Sequence, residues 1–485
     1  MQKTTVEIAD GFYQSYSLPL NAQRCVNWVP VIPELTGLSN TALFDPPGLS
    51  TFCTLPKMPC YGAQEMGNYA YFVNGTNLYR VDANGSYADL GNISSASRVS
   101  MANNGTKLVI VNPGSTAWVY DSALHTLTRI TDPDFIASDT VVFKDGYFIF
   151  TATNGRVFFC SEINDPLNFD PLKFGTAEID PDDIVAGWVD HNELFILGKK
   201  TTEQYQDVGG TGFPFQRIEG ANSQKGCYAK FSLCTFDNTF LFVGGGNNET
   251  AAIWKAVGSS NVQKISTAAI DYQIQQFTRE EISTAFAWTY SWQGSFFAGF
   301  TFESARIPSK TFVFDATSSA LSGKMVWHER QTGMSDNRWR VNAIVAAYGK
   351  ILVGDSLTGI VGIIQDGVYT DYGALRYRMK TSRPFFLDEL PLFQGQMELT
   401  MESGTGLTSG DGSDPQLRFD YSDDGGRTYS FQTSRSYGAI GEFFRLCIWR
   451  RLGRIPRHRV LRFITTEPVK SNLIKLCSYV DRGTQ

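Results

Sequence analysis

Charge is scarce in this chain, and so are the residues on which most enzymes and metal proteins depend. Charged side chains make up 19% of the 485 positions. A disordered or coiled-coil protein would need dense charge or heptads, so both classes are excluded. The four histidines, at 125, 191, 328 and 458, are isolated, with no HExxH or comparable metal spacing. No G-x-S-x-G elbow and no P-loop occur, and Gly244-Gly245-Gly246 precedes no helical pattern, so it reads as a wide turn. The eight cysteines, at 25, 53, 60, 160, 227, 234, 447 and 477, form no C-x-x-C pair. Zinc ribbons and redox motifs are therefore unsupported, and the thiols read as reduced small hydrophobes. Residues 1–10 lack the charged and apolar regions of a signal peptide, and no run reaches the roughly 18–20 apolar residues of a membrane span. Asn-x-Ser/Thr matches such as Asn74-Gly75-Thr76 read as turn chemistry and not as glycan sites. No catalytic residue, cofactor or metal is expected.

Aromatic residues and glycine are plentiful, at 13% and 45 residues. That mixture suits many short strands joined by tight turns. A loose repeat runs over residues 61–373. Tyr69-Ala70-Tyr71-Phe72-Val73 is followed by the turn Asn74-Gly75 and then Leu78-Tyr79-Arg80-Val81. Lys107-Leu108-Val109-Ile110-Val111 turns at Asn112-Pro113-Gly114 into Ala117-Trp118-Val119-Tyr120. Tyr147-Phe148-Ile149-Phe150 turns at Asn154-Gly155 into Val157-Phe158-Phe159. Residues 193–197, 240–243, 295–300 and 350–353 continue the series. Centres spaced by about 40–55 residues match the four-stranded blades of a propeller, and Asn-Gly between apolar runs marks a hairpin. The expected fold is all-β: an irregular β-propeller of six or seven blades over residues 61–375. A set of unrelated β-meanders is the alternative. Helical periodicity is weak outside residues 268–278, which could carry one or two turns.

Residues 1–60 contain Pro19, Pro30, Pro33, Pro46, Pro47, Pro56 and Pro59. Proline removes a donor and fixes φ, so this segment reads as a poor place for long strands and as an extended arm that wraps over other parts or reaches a neighbour. A Gly/Ser/Thr/Asp loop at 404–414 interrupts residues 376–485, which read as a second β unit or as strands closing the propeller with an added sheet. Residues 394–401 are expected to pair with 417–422 across that loop, followed by strands near 443–449, 458–464 and 473–479.

Two local patterns stand out in this last unit. Ser422-Asp423-Asp424-Gly425-Gly426-Arg427-Thr428-Tyr429 fits an Asp box, in which Ser422, Asp424, Gly426, Thr428 and Tyr429 build a hairpin turn without chemistry of their own. Residues 441–485 hold ten Lys/Arg and three Asp/Glu, a net +7 in a chain whose total is −6, so the first 440 residues carry −13. Arg445, Arg450, Arg451, Arg454, Arg457, Arg459 and Arg462 cannot all share one face of a regular strand. They are candidates for subunit contacts or for a positive lining facing DNA phosphates; salt bridges to the acidic propeller body are the simpler reading. Arg306-Ile307-Pro308 and Arg454-Ile455-Pro456 echo a sialidase motif, and a sialidase-like or lectin-like glycan-binding propeller is the alternative function. Acidic loops at 180–183 and at Asp411, Asp414, Asp420, Asp423 and Asp424 read as solvated rather than as calcium sites.

One family shows a similar order of segments. Arg24-Cys25-Val26-Asn27-Trp28-Val29-Pro30, Pro46-Pro47-Gly48-Leu49, Leu78-Tyr79-Arg80-Val81-Asp82, Arg98-Val99-Ser100-Met101-Ala102, Asp132-Pro133-Asp134-Phe135, Thr201-Thr202-Glu203, Lys225-Gly226-Cys227, Gly438-Ala439-Ile440-Gly441-Glu442 and Trp449-Arg450-Arg451-Leu452-Gly453 occur in sequence. Together they resemble the podophage packaged-DNA stabilisation proteins, also called tail accessory or tail nozzle proteins. The chain departs at Arg454-Ile455-Pro456-Arg457-His458-Arg459, where a more acidic pattern is usual. The resemblance implies a structural virion tail protein, assembled in the host cytoplasm as a homohexameric ring below the portal–adaptor (head–tail connector) proteins. It further implies that the ring extends the channel for duplex DNA, which passes non-specifically, and retains packaged DNA for ejection. Tailspikes or tail fibres, and a tail needle or plug, would dock on it.

Overall fold

A computed structural model describes residues 2–35, 37–210, 212–258, 260–387 and 390–482. Residues 60–365 form antiparallel sheets in sequence order, and the first strand of each contributes to the wall of one central cavity. The described residues form seven blades. Blade 1 runs through Cys60–Met66, Tyr69–Asn74, Asn77–Val81 and Tyr87–Asn92. Blades 2, 3 and 4 begin at Ser100–Asn103, Ser138–Lys144 and Ile184–Asp190. Blade 5 is irregular, because Gly226–Cys227 and Cys234–Phe236 share the innermost position beside Thr239–Gly245. Blade 6 begins at Phe286–Trp292 and blade 7 at Val341–Ala347.

The blades stack face to face, so their second strands are covered on both sides. Tyr147–Ala152 is buried at every position, and Tyr69–Asn74 at all but the first. The outermost strands, such as Thr126–Arg129 and Asn261–Lys264, are mostly exposed. Successive cores between blades are rich in rings. Phe150, Phe159 and Phe169 cluster between blades 2 and 3 with Phe135 edge-on to all three, at 5.2–5.7 Å between centroids. Aromatic contacts of this geometry each add about 0.5–1.5 kcal/mol beyond area burial.

The amino-terminal segment runs over other parts of the chain and contributes strands to their sheets. Gly48–Thr54 is the outermost strand of blade 7, antiparallel to Ile360–Gln365, and joins the first part of the propeller to the last. Proline flanks this strand without interrupting it, which is how a seven-residue strand fits a segment whose proline content argued against one. Gly48 is required there: a Cβ would collide with the carbonyls of Val368 and Thr370. Farther upstream, Gln2–Val6 pairs with Leu473–Arg482, and Ala42–Phe44 touches the same strand at Leu43–Leu473.

The carboxy-terminal unit is a sandwich of two sheets. One contains Cys447–Ile455, Leu392–Met401 and Leu473–Arg482, continued by Ala42–Phe44 and Val29–Val31. The other contains Arg378–Thr381, Val460–Thr465, Gln416–Ser422 and Thr433–Ser436. Residues 394–401 and 417–422 therefore do not pair; the 404–414 loop crosses from one sheet to the other. Both strands place apolar residues inward, and Met397, Leu399, Leu417, Phe419, Trp449 and Phe463 meet in one core. Each thus needs the opposite sheet, where a hairpin partner would have left that face uncovered. The second sheet also continues blade 6, because Cys25–Val26 lies between Val326–Arg330 and Arg378–Thr381.

Helices are short. Ala268–Ile274 supplies the two turns expected within 268–278, and Thr278 then caps a further helix, Arg279–Ser283, with Glu281 in a capping box. Ala316–Ser322, capped by Asp315, has no apolar periodicity and was not legible.

Candidate functional site

The basic segment and the Asp box occupy one corner of the sandwich, and each positions the other. Ser422 Oγ donates to Asp424 Oδ1 at 2.6 Å, and Asp424 accepts from the Thr428 hydroxyl at 2.6 Å and from the amides of Arg427 and Thr428. The Ser422 hydroxyl first, then that of Thr428, holds the Asp424 carboxyl well below the usual carboxylate range. Gly425 and Gly426 take φ of +78° and +92° to make the turn. The turn aims Asp423 at Arg459, whose Nε and Nη2 donate to both carboxylate oxygens at 2.7 Å.

Arg459 is 1% exposed. It also donates to Gln394 Oε1 and to the carbonyls of Leu452 and Arg454, and its guanidinium lies 3.7 Å from the Tyr421 ring centroid. Arg462 makes a second two-pronged pair, 2.8 and 2.7 Å to Asp420, and lies 3.5 Å from the centroid of Tyr429, the aromatic residue of the box. The acidic partners come from the sandwich itself and not from the propeller. Arg459 is thus buried within the sandwich, whereas Arg462, whose side chain keeps 23% exposure, is half-buried although paired. Asp420 and Asp423 are likewise occupied by arginines.

The other five arginines are exposed: Arg445, Arg450, Arg451, Arg454 and Arg457. They lie on or beside Cys447–Ile455, the outer strand of its sheet, where a bulge opposite Gln394–Gln396 and positive φ at Arg451 (+59°) and Gly453 (+78°) break the regular alternation. Arg450 Nε donates to Gln396 at 3.1 Å. Thr433–Ser436 is the outer strand of the facing sheet, and Arg435 Nε bridges to the Ile448 carbonyl at 2.8 Å. A cleft of about 290 Å³ opens here, lined by Phe431, Arg435, Trp449, Arg450 and Arg451. Phe431 is 90% exposed and nearby Phe444 98%. Two free strand edges with projecting arginines and phenylalanines form a surface fit for macromolecular contact, since exposed aromatic and Arg side chains are characteristic of interfaces. The bulge and these phenylalanines were not singled out from sequence; Phe443-Phe444 beside Arg445 was the available signal.

The two sialidase-like tripeptides lie in different units. Arg306 sits between two strands of blade 6, bound to the Gln276 carbonyl and, at 3.3 Å, to Glu281. The central cavity contains one arginine, Arg98, so no arginine triad is assembled there. Among the described residues, no group of three or more His, Cys, Asp or Glu side chains could hold a metal ion.

Sequence comparison matches residues 4–369 to the family described as "Bacteriophage P22 Gp10, beta-propeller" and residues 382–477 to "Bacteriophage P22 Gp10, beta-sandwich". The chain belongs to the phage P22 Gp10 family. A curated relative, "Tail hub protein gp10" of Salmonella phage P22, is 23% identical over 420 residues, covering 83% of this chain and 84% of its own length. The first Gp10 family region covers the propeller and the amino-terminal strands before it, and the second lies within the sandwich. Solved structures similar to the chain include the N-terminal domain of Nup159, with a TM-score of 0.40, 10% identity, and coverage of 68% of this chain and 97% of that one. Another is the designed Ika8 protein, with a TM-score of 0.36, 13% identity, and coverage of 65% of this chain and 100% of that one.

Proposed function

We propose that this Gp10-family chain is a structural protein of a phage tail and not an enzyme. Copies assemble as a ring, a homohexamer, below the portal–adaptor proteins. The ring prolongs the channel through which duplex DNA passes, holds packaged DNA until ejection, and carries tailspikes or fibres and a needle or plug. The carrying observation is that the tail hub relative aligns over more than four-fifths of both chains, through the propeller and the sandwich alike. The geometry is compatible with a load-bearing wall. The propeller is joined end to end by Gly48–Thr54, and a nine-stranded sheet ties blade 6 to the sandwich, leaving the arginine-bearing edge for contacts. In a ring, modest contacts repeat around a symmetry axis and add up.

The test is assembly of particles without this chain. Heads should fill and then lose their DNA, and adding back purified chain should restore DNA-filled, infectious particles. Particles that lack the chain yet keep their DNA and infect would overturn the proposal.

A further inference from the structure

The first strands of the seven blades surround a central cavity of about 570 Å³, within the range of small-molecule sites. Two cations line it, Arg98 and Lys230, and no carboxylate is among its lining residues. The cations differ in state. Lys230 Nζ lies 2.7 Å from Asp139 and is neutralised. Among the described residues, no carboxylate comes within the 4.0 Å of an ion pair to Arg98. Glu303, the carboxylate whose charge acts most on Arg98, is itself bound to Arg338 at 2.8 Å.

Arg98 is held in place. Its Nη1 donates to the Asn342 carbonyl at 2.6 Å, and its guanidinium lies 3.5 Å from the Phe286 ring centroid. A guanidinium has five donors, and this one hydrogen bond leaves most of them unmatched by protein. Burial lowers its pKa to about 10, so it remains charged at neutral pH. One fixed, uncompensated positive charge in a partly desolvated cavity calls for one negative charge. The fork of a guanidinium matches a carboxylate in two-pronged geometry. A phosphate dianion would need a second free cation, and Lys230 is already paired. Phe286 is buried beneath the guanidinium, and the flat apolar wall open beside Arg98 is the half-buried ring of Phe231.

We propose that the propeller cavity binds a carboxylate carried on a planar apolar group, with Arg98 as the anchor. The carboxylate accepts from the free edge of the Arg98 guanidinium, and the planar body lies along the aromatic wall. Two sources share this chemistry: a free aromatic acid, and the carboxyl terminus of another chain that ends in an aromatic residue.

The full chain is titrated with benzoate and with neutral benzamide by calorimetry and ligand-observed NMR. Saturable benzoate binding is expected, with benzamide weaker by roughly tenfold, the scale of one lost charge-assisted hydrogen bond. Arg98→Gln should weaken benzoate by about the same factor and leave benzamide unchanged. Arg98 also links blades 2, 6 and 7, so Arg98→Lys serves if the first variant does not fold. It keeps the charge without the fork and should give an intermediate loss. A short peptide ending in a free phenylalanine carboxylate, compared with its amidated form, separates the sources. Tighter binding of the free-acid peptide than of benzoate assigns the site to a chain terminus, and weaker binding assigns it to a small acid. No saturable benzoate or free-acid peptide binding, or affinity unchanged in both Arg98 variants, overturns the proposal.

Discussion

Asp45, buried beside the Pro46-Pro47-Gly48 turn, accepts from Arg376 Nη2 at 3.0 Å and Arg378 Nε at 2.8 Å, and Ser471 donates to its other oxygen at 3.0 Å. The carbonyls of Pro46 and Pro47 accept from Arg376 as well. One carboxylate therefore joins the entry of the closing strand, the propeller exit and the sandwich. Asp45→Ala would leave two buried guanidiniums short of an anion, and a loss of about 3–5 kcal/mol in denaturant unfolding is expected. His328 is a second buried residue with consequences. Neither ring nitrogen has a partner, and burial, followed by the charge of Arg330, pushes its pKa from 6.5 down to about 3. The folded value lies below the unfolded one, so between pH about 6.5 and about 3 the unfolded chain binds the extra proton. Stability should be unaffected by this group above pH about 6.5 and should fall on acidification through that window, by up to about 1.4 kcal/mol per pH unit. His328→Phe should flatten the slope in unfolding midpoints measured across the window. Sequence flagged neither role: Asp45 carries no motif, and an isolated histidine looks the same whether exposed or buried.

At the scale of elements, legibility followed burial. The seven segments read as repeat centres are the second strands of the seven blades, which are apolar on both faces because neighbouring blades cover both. Outer strands such as Thr126–Arg129 carry little pattern, since solvent accepts almost any residue there. The closing strand Gly48–Thr54 was hidden for a different reason: its partner Ile360–Gln365 lies some three hundred residues away, beyond the reach of any local pattern. Because this strand completes blade 7, its amides that bond to Ile360–Gln365 should exchange hydrogen as slowly as those of that neighbouring strand. Fast exchange at those amides alone would show that the joint opens independently of the propeller. In the candidate site, the Asp box and the basic segment were both legible, but their union was not. Only the fold reveals that Asp423 buries Arg459, that Asp420 pairs a half-buried Arg462, and that the other five arginines are exposed.

At the scale of the molecule, an acidic propeller and a basic sandwich edge coexist in one chain. The exposed pair Arg450 and Arg451 can be reversed without touching the core, so the double Arg450→Glu, Arg451→Glu variant should melt like the parent, within about 0.5 kcal/mol. Its assembly, read by native mass spectrometry, should be impaired. If DNA rather than a neighbour meets this edge, assembly should persist while the salt dependence of DNA retention weakens. On the proposed function, these molecules build the wall of a DNA conduit. Electron cryomicroscopy of the assembled full-length chain tests it most directly. The expected result is a closed ring with an axial channel wide enough for duplex DNA and with the edge Cys447–Ile455 at a subunit contact or facing the bore. A particle that stays monomeric alone and with its portal–adaptor partners, or a ring whose axis is filled by protein, would contradict it.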